Sequence, residues 1–268
     1  MNLKDQHVHD LKHRLNDLPP LGIVCIVLGE DPATLKYVQM KTKMAEELGV
    51  QLTLLHLSGD SSITDLKDNI ERFNSDPEIT GIWVQLPLPK HLDEQTVCNL
   101  ISAFKDVDCL TSENLGQLLH GVNNLLPATV RGVMSILAEQ KTELNGMRAL
   151  VIGASPWLGK PMALALSNMG SSVTLVSDTE KNLEDLTRIA DLIVSCVGKP
   201  NLITKTMVKP GAVIIDVGIS VIDGKVIGDV APDVSEIAKY VSPVPGGVGP
   251  MTVVSLFENL ADIAQSPL

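Results

Sequence analysis

Aromatic side chains are scarce: 268 residues contain two Trp, two Tyr and three Phe. That scarcity argues against a small aromatic-cored module and for buried parallel strands covered by helices, since Leu, Val and Ile are abundant. Positive charge is also short, with 21 Lys and Arg against 32 Asp and Glu and a net charge of -11. A field of that sign excludes nucleic acid or an anionic membrane as a partner held by overall charge. An anionic ligand must instead be held by local donors, such as helix N-termini or single basic residues. The four cysteines, Cys25, Cys98, Cys109 and Cys196, form no CxxC pair. They read as free thiols, Cys25 and Cys196 buried in apolar runs, in a reducing cytosol. No apolar run approaches the roughly 20 residues that span a bilayer. The amino end, MNLKDQHVHDLKHRL, is polar and helical with no hydrophobic signal region. The reading is a soluble cytoplasmic chain. His7, His9 and His13 lack an acidic or Cys partner at ligand spacing, so they read as solvent-facing and no metal is expected.

What is present is a repeated strand–helix alternation over a length that suggests two domains. Leu21 to Leu28 (LGIVCIVL) is a continuous apolar strand, and Ala33 to Gly49 has apolar residues at helical spacing. On that helix Tyr37 and Lys41 are four apart and share one face, an aromatic surface with a single amine one turn along. Such a pair can hold a planar ring and act on it as acid or base, although half-buried Tyr beside solvated Lys is the commoner identity of this spacing. Val50 to Leu57 is the next strand. A helix capped by Ser61-Ser62 follows to Phe73, then a strand over Ile82 to Leu86 and a helix over Asp93 to Phe104. Gln85 interrupts the apolar strand just before Leu86-Pro87-Leu88-Pro89, at the carboxyl end of a parallel strand where ligands gather. A loop-bonded edge Gln is an equal alternative. In Lys105-Asp106-Val107-Asp108 one carboxylate is a candidate, against a solvated acidic turn.

The pattern restarts near Asn124. Helices are expected over Thr129 to Glu139, Met162 to Met169 and Leu183 to Ile189. Strands are expected over Arg148 to Ile152, Val173 to Val176, Leu192 to Val197 and Ala212 to Val217. Asp223-Gly224 between short apolar pairs signals a type I′ hairpin. The turn Gly153-Ala154-Ser155-Pro156-Trp157-Leu158-Gly159-Lys160-Pro161 joins a strand to a helix. Gly153 permits the turn, Gly159 permits close approach at the helix start, and the helix N-terminus faces a pyrophosphate. Spacing and Pro161 exclude a P-loop. The run Pro243 to Thr252 holds three glycines among three prolines. It is expected to cross between domains ahead of a helix, Thr252 to Ala264, that returns to the first.

These residues resemble a known family across nearly the whole chain. YVQMK, GIWVQLPLP, KDVDCLTSENLGQL, VIGASPWLGKPM, KPGAVIIDVGI, GDVAPDV and SPVPGGVGPMTV occur in the order found in the bifunctional methylenetetrahydrofolate dehydrogenase/methenyltetrahydrofolate cyclohydrolases. The resemblance implies an α/β fold of two domains. A parallel-sheet catalytic domain would span 1–123, completed by a helix over 250–268, and a Rossmann-like nucleotide domain 124–249. It implies oxidation of 5,10-methylenetetrahydrofolate with a nicotinamide and hydrolysis of the methenyl product to 10-formyltetrahydrofolate. A cyclohydrolase-only or non-catalytic binding descendant is the alternative. In this likeness Lys41 is the general acid/base, a role that burial assists by disfavouring the ammonium. Gln85 orients it, Asp108 binds the pterin nitrogens and Tyr37 stacks on the substrate. Gly246, Gly247 and Pro250 shape the wall beside the folate. Gly153, Ala154, Ser155, Gly159, Ser177, Asp178 and Ile219 fall at cofactor-binding positions, and a homodimer is implied.

Three departures stand out. The chain begins about a helical turn later than such proteins usually do, so the first strand is expected to be lost or contributed differently. P-C-T-P-x-G appears as Pro127-Ala128-Thr129-Val130-Arg131-Gly132, keeping Thr129. Where many members carry Arg and a His-Ser or His-Arg pair for the NADP 2′-phosphate, this chain has Ala154 and Ser177-Asp178. NADP is the family default. An acid about 25 residues beyond the turn suits a ribose hydroxyl, so discrimination is expected to weaken or shift toward NAD.

Overall fold

The computed structural model describes residues 2–121 and 125–265, and Asn124, where the pattern restarts, lies outside them. Its contacts divide into two units, 1–128 with 253–268, and 129–252.

In the first unit, α1 (Leu3–Asn16) starts where the Asn2 side chain accepts the Asp5 amide. Strand β1 (Gly22–Leu28) follows, so the first strand is present despite the late start. Helix α2 (Pro32–Leu48) is capped by Asp31, has Pro32 in its first turn, and ends at Gly49 in the left-handed conformation. Then come β2 (Gln51–Leu57), α3 (Ile63–Ser75) and β3 (Ile79–Val84). Ser62 and Asp65 close a reciprocal capping box at the start of α3. The three strands are parallel in the order β2-β1-β3, with Cys25 level with both Leu54 and Trp83. Central β1 is covered on both faces, which is why it reads as an unbroken apolar run. Ile23, Cys25 and Val27 share one core with Trp83 and with Val38, Met44 and Ala45 of α2. Val24, Ile26 and Leu28 pack on Leu66, Ile70 and Phe73 of α3.

The helix expected from Asp93 to Phe104 shrinks to α4 (Glu94–Cys98). Asn74 takes the continuation apart, donating to the Leu100 carbonyl and accepting the Ser102 amide, so the chain turns instead. A helix not anticipated, α5 (Ser112–His120), follows behind a Thr111 cap. The last helix, α9 (Val248–Gln265), begins a turn earlier than its pattern suggested and feeds Val253, Val254, Leu256, Phe257, Leu260 and Ala261 into the first unit's core. Gly81 makes room for it, since a Cβ there would run into Val107 and Leu260. His7 is not simply solvent-facing: its Nδ1 lies 2.7 Å from Glu258 of α9. That partner stands 251 residues away, beyond any spacing rule.

The second unit comprises α6 (Ala128–Glu139), β4 (Arg148–Ile152), α7 (Gly159–Asn168), β5 (Ser172–Val176), α8 (Leu183–Ile189), β6 (Leu192–Ser195) and β7 (Val213–Asp216). The hairpin β8 (Ile219–Ile222) and β9 (Lys225–Gly228) and the short β10 (Tyr240–Val241) follow. Asp223 and Gly224, at φ 51° and 75°, form the type I′ turn. Five parallel strands run β10-β7-β6-β4-β5, and the order reverses between β4 and β6, the switch point outside whose carboxyl ends such sheets bind ligands.

Two buried carboxylates tie that edge together. Asp216 accepts the amides of Asp229 and Val230 at 2.9 and 3.0 Å. Asp229 accepts the Ser195 hydroxyl at 2.7 Å and the Val197 and Lys199 amides at 2.9 and 2.8 Å. The loop after β6 is therefore held by an acid from the far side of the hairpin.

Burial pushes the Asp216 carboxyl up to about 6, its two amide donors pulling the other way and the Asp229 charge adding to the rise. Between its unfolded value of 3.8 and about 6 the folded chain holds the proton more firmly, so this contribution to stability falls as pH rises through that window. Urea titrations should show the advantage of the wild type over Asp216→Asn growing by about 1 kcal/mol from pH 7 to pH 5; an unchanged gap contradicts the assignment. All four cysteines are unpaired, three buried and Cys196 half-buried. Burial raises every thiol, those of Cys25, Cys98 and Cys196 to about 12. Ellman's reagent at pH 8 should release thiolate only after denaturation.

Candidate active site

Alternation along β3 decides where the site forms. Trp83 faces the α2 side of the sheet, so Gln85, two residues on, leaves the strand toward the same side. Its backbone amide still donates to the Ile26 carbonyl at 2.8 Å, and its side-chain Nε2 donates to the Leu86 carbonyl at 2.9 Å. Held by that bond, the amide presents Oε1 to Lys41, whose Nζ donates to it at 3.1 Å. Lys41 is only 4% exposed, and its Nζ stands 5.0 Å from the centre of the Trp83 ring. Among the described residues no carboxylate forms an ion pair with it. Beneath lies Cys25, level with Trp83 in the sheet, its thiol kept neutral by burial against the pull of the Lys41 charge. One turn before Lys41, Tyr37 is half-buried, which raises its phenol. The hydroxyl has no hydrogen-bond partner among the described residues.

The two candidate carboxylates separate cleanly. Asp106 is 1% exposed and spends its acceptors inside the fold, on the Thr111 amide at 2.8 Å and the Asn114 side chain at 3.0 Å. Burial raises it, and those donors oppose the rise. Asp108 is half-buried and bonds to nothing among the described residues. The segment before it bridges β3, with the Ile82 amide donating to Lys105 O at 2.7 Å, so Asp108 lies just past the carboxyl end of the sheet. The next residue, Cys109, is buried at φ 58°, a conformation disfavoured for any residue but glycine.

In the second unit the turn after β4 has the form a dinucleotide needs. Gly153 sits at φ 103°, and a Cβ on Gly159 would collide with the Gly153 carbonyl. Ser155 accepts the Gly159 amide on its hydroxyl at 3.4 Å and the Lys160 amide on its carbonyl at 3.0 Å. Ala154 is half-buried beside it. The tight turn, the small residues and a ten-residue helix opening at Gly159 fit a pyrophosphate at the α7 N-terminus. Ser177 and Asp178 are exposed at the carboxyl end of β5, and the Asp178 carboxylate pairs with Lys199 at 3.1 Å. Ile219, 41% exposed, opens β8, which Ser220 ties to Gly198 at 2.7 Å. Gly246 is at φ 106°, the Gly247 amide donates to Pro243 O at 2.9 Å, and Pro250 lies in the first turn of α9, where its missing donor costs nothing.

Lys41 and Gln85 thus touch, Tyr37 shares the helix face of Lys41, and Asp108 lies at the same end of the sheet as Gln85. The candidate nucleotide residues follow β4, β5 and β7, at the carboxyl ends of the other unit's strands. Trp83, Lys199, Asp216 and Asp229 were not singled out by sequence reasoning, and Cys25 only as a buried thiol. Only Trp83 carried a signal: one of two tryptophans, two residues before Gln85. Among the described residues no three His, Cys, Asp or Glu side chains gather as a metal site, and no helix is long and apolar enough to cross a membrane.

Residues 2–108 match the catalytic-domain family model of tetrahydrofolate dehydrogenase/cyclohydrolase, and 127–267 match its NAD(P)-binding domain. The bifunctional protein FolD of Methanospirillum hungatei is 43% identical over 245 residues, covering 91% of this chain and 88% of the relative. The crystal structure of the bifunctional FolD of Campylobacter jejuni superposes with a TM-score of 0.96 at 38% identity, covering 98% of this chain and 96% of that one. That of the Trypanosoma brucei methylenetetrahydrofolate dehydrogenase-cyclohydrolase, complexed with NADP and an inhibitor, gives 0.90 at 32%, covering 98% and 93%. The chain belongs to the tetrahydrofolate dehydrogenase/cyclohydrolase family.

Proposed function

We propose that this chain oxidises 5,10-methylenetetrahydrofolate to the methenyl form and then hydrolyses that product to 10-formyltetrahydrofolate. The observation that carries the reading is the buried Lys41 amine, 4% exposed and bonded to a neutral amide instead of a carboxylate. A carboxylate would pin the proton on nitrogen, whereas Gln85 Oε1 orients the amine and leaves the proton free to move.

In hydrolysis, water adds to the methenyl carbon and loses a proton, and the carbon–nitrogen bond then breaks as the leaving nitrogen gains one. Lys41 takes the first proton and returns the second. Tyr37 supplies a flat, half-buried surface for the substrate ring, and Asp108 brings two unspent acceptors for the pterin's donors. Gly246, Gly247 and Pro250 match positions that border the folate in the family's motif. A nicotinamide dinucleotide, when bound, supplies the hydride acceptor for the first step. Gly153, Ala154, Ser155 and Gly159 would hold its pyrophosphate and Ser177 and Asp178 its adenosine side, while Ile219, beyond β7 across the switch point, would meet its other half. That step asks for positioning more than for a base, because the folate nitrogen already carries the driving electrons.

The nucleotide reading follows from the ion pair between Asp178 and Lys199. Lys199 offsets the charge that would repel a 2′-phosphate but is itself occupied, so we read discrimination between NADP and NAD as weak. Strand β5 is the edge of its sheet, with Leu175 exposed, and offers a face for a homodimer. The unpaired thiols suit the reducing cytoplasm.

Replacing Lys41 by Met should slow methenyl hydrolysis by about a hundredfold or more while folate affinity stays within a few-fold. The decay of methenyl absorbance measures the first and equilibrium titration the second. Hydrolysis at the wild-type rate would remove Lys41 from the mechanism. Asp178→Ser should release Lys199 and raise kcat/KM with NADP by about tenfold, with NAD little changed. A wild type with strong NADP preference would contradict the role given to Asp178.

A further inference from the structure

Trp83 is fully buried, and its indole Nε1–H has no hydrogen-bond partner among the described residues. An unpaired buried donor is a cost that Leu or Ile in the same strand position would avoid. Packing alone therefore does not account for an indole there. What an indole adds is a negative π face, and the Lys41 Nζ lies 5.0 Å from its centre. The polar environment of that ammonium is otherwise thin: the Gln85 oxygen at 3.1 Å and the neutral Cys25 thiol, with no carboxylate partner among the described residues.

We propose that Trp83 is a positioning residue for hydrolysis: its ring face carries the Lys41 ammonium and aims Nζ at Gln85. The proposal rests on the reading of Lys41 as the acid/base. A π face attracts the cation without offering a site that binds its proton. Strand geometry supplies the placement, because Trp83 faces the α2 side of β3 and Gln85, one residue past the strand's end, keeps the same alternation.

The test compares Trp83→Phe, which keeps a ring face and removes the unpaired N–H, with Trp83→Leu, which removes the face. Phe should keep hydrolysis within about threefold of wild type, and Leu should lower its kcat by about tenfold with KM and hydride transfer nearly unchanged. Equal hydrolysis by the two variants, or proportional damage to both reactions by Leu, overturns the proposal. A second measurement needs no substrate and no Leu variant. Lys41→Met should alter the tryptophan emission of the otherwise wild-type chain, but not that of the chain carrying Trp83→Phe, where Trp157 is the indole that remains. Identical emission changes in both backgrounds also overturn it. If Lys41→Met spares hydrolysis while its emission change depends on Trp83, the catalytic reading of Lys41 fails and the contact stands.

Discussion

A lysine ammonium taken out of water with no carboxylate beside it is the constraint on which the first unit turns. Desolvation of such a group is expensive, and only an arranged set of dipoles and polarisable faces makes it tolerable. Here the arrangement is the Gln85 oxygen at 3.1 Å and the Trp83 ring at 5.0 Å. Each depends on something further out. Gln85 is held by its own bond to the Leu86 carbonyl and by the ladder to Ile26. Trp83 is held by a core to which α2 and α9 both contribute.

The second unit solves a different problem, the control of loops that must stay open to a ligand. Backbone donors at the carboxyl ends of parallel strands are loosely determined by the sheet itself. Asp229 collects two of them, Val197 and Lys199, from the loop after β6 together with the Ser195 hydroxyl at the strand's end, and Asp216 in turn fixes Asp229 through its amide. Burial displaces Asp216 upward, and the nearby Asp229 charge adds to the rise. The glycines of the turn after β4 complete the arrangement by letting backbone approach backbone at Gly153 and Gly159.

Much of this was legible in the linear chain where a local rule governs. The helical spacing of α2, the serine cap of α3 and the Asp223-Gly224 hairpin depend on neighbours within a few residues. The failures share one cause. The pattern from Asp93 to Phe104 looked helical, but Asn74, far back in the chain, captures its backbone at Leu100 and Ser102. Asp106 and Asp108 are two residues apart and chemically identical, yet one is consumed by Thr111 and Asn114 while the other remains unspent. Nothing in their spacing distinguishes them.

The sequence by itself determined the parallel α/β character, the strand–turn–helix of the nucleotide unit, and the helix face shared by Tyr37 and Lys41. Each of these follows from periodicity, glycine placement or capping, which act over one or two turns of chain. Only the tertiary structure decided that Lys41 is dry, that Gln85 and Trp83 are what it meets, and that Asp178 is paired with Lys199. Burial and electrostatic pairing are properties of distances across the fold, set when strands separated by whole helices come into register, and no local pattern encodes them.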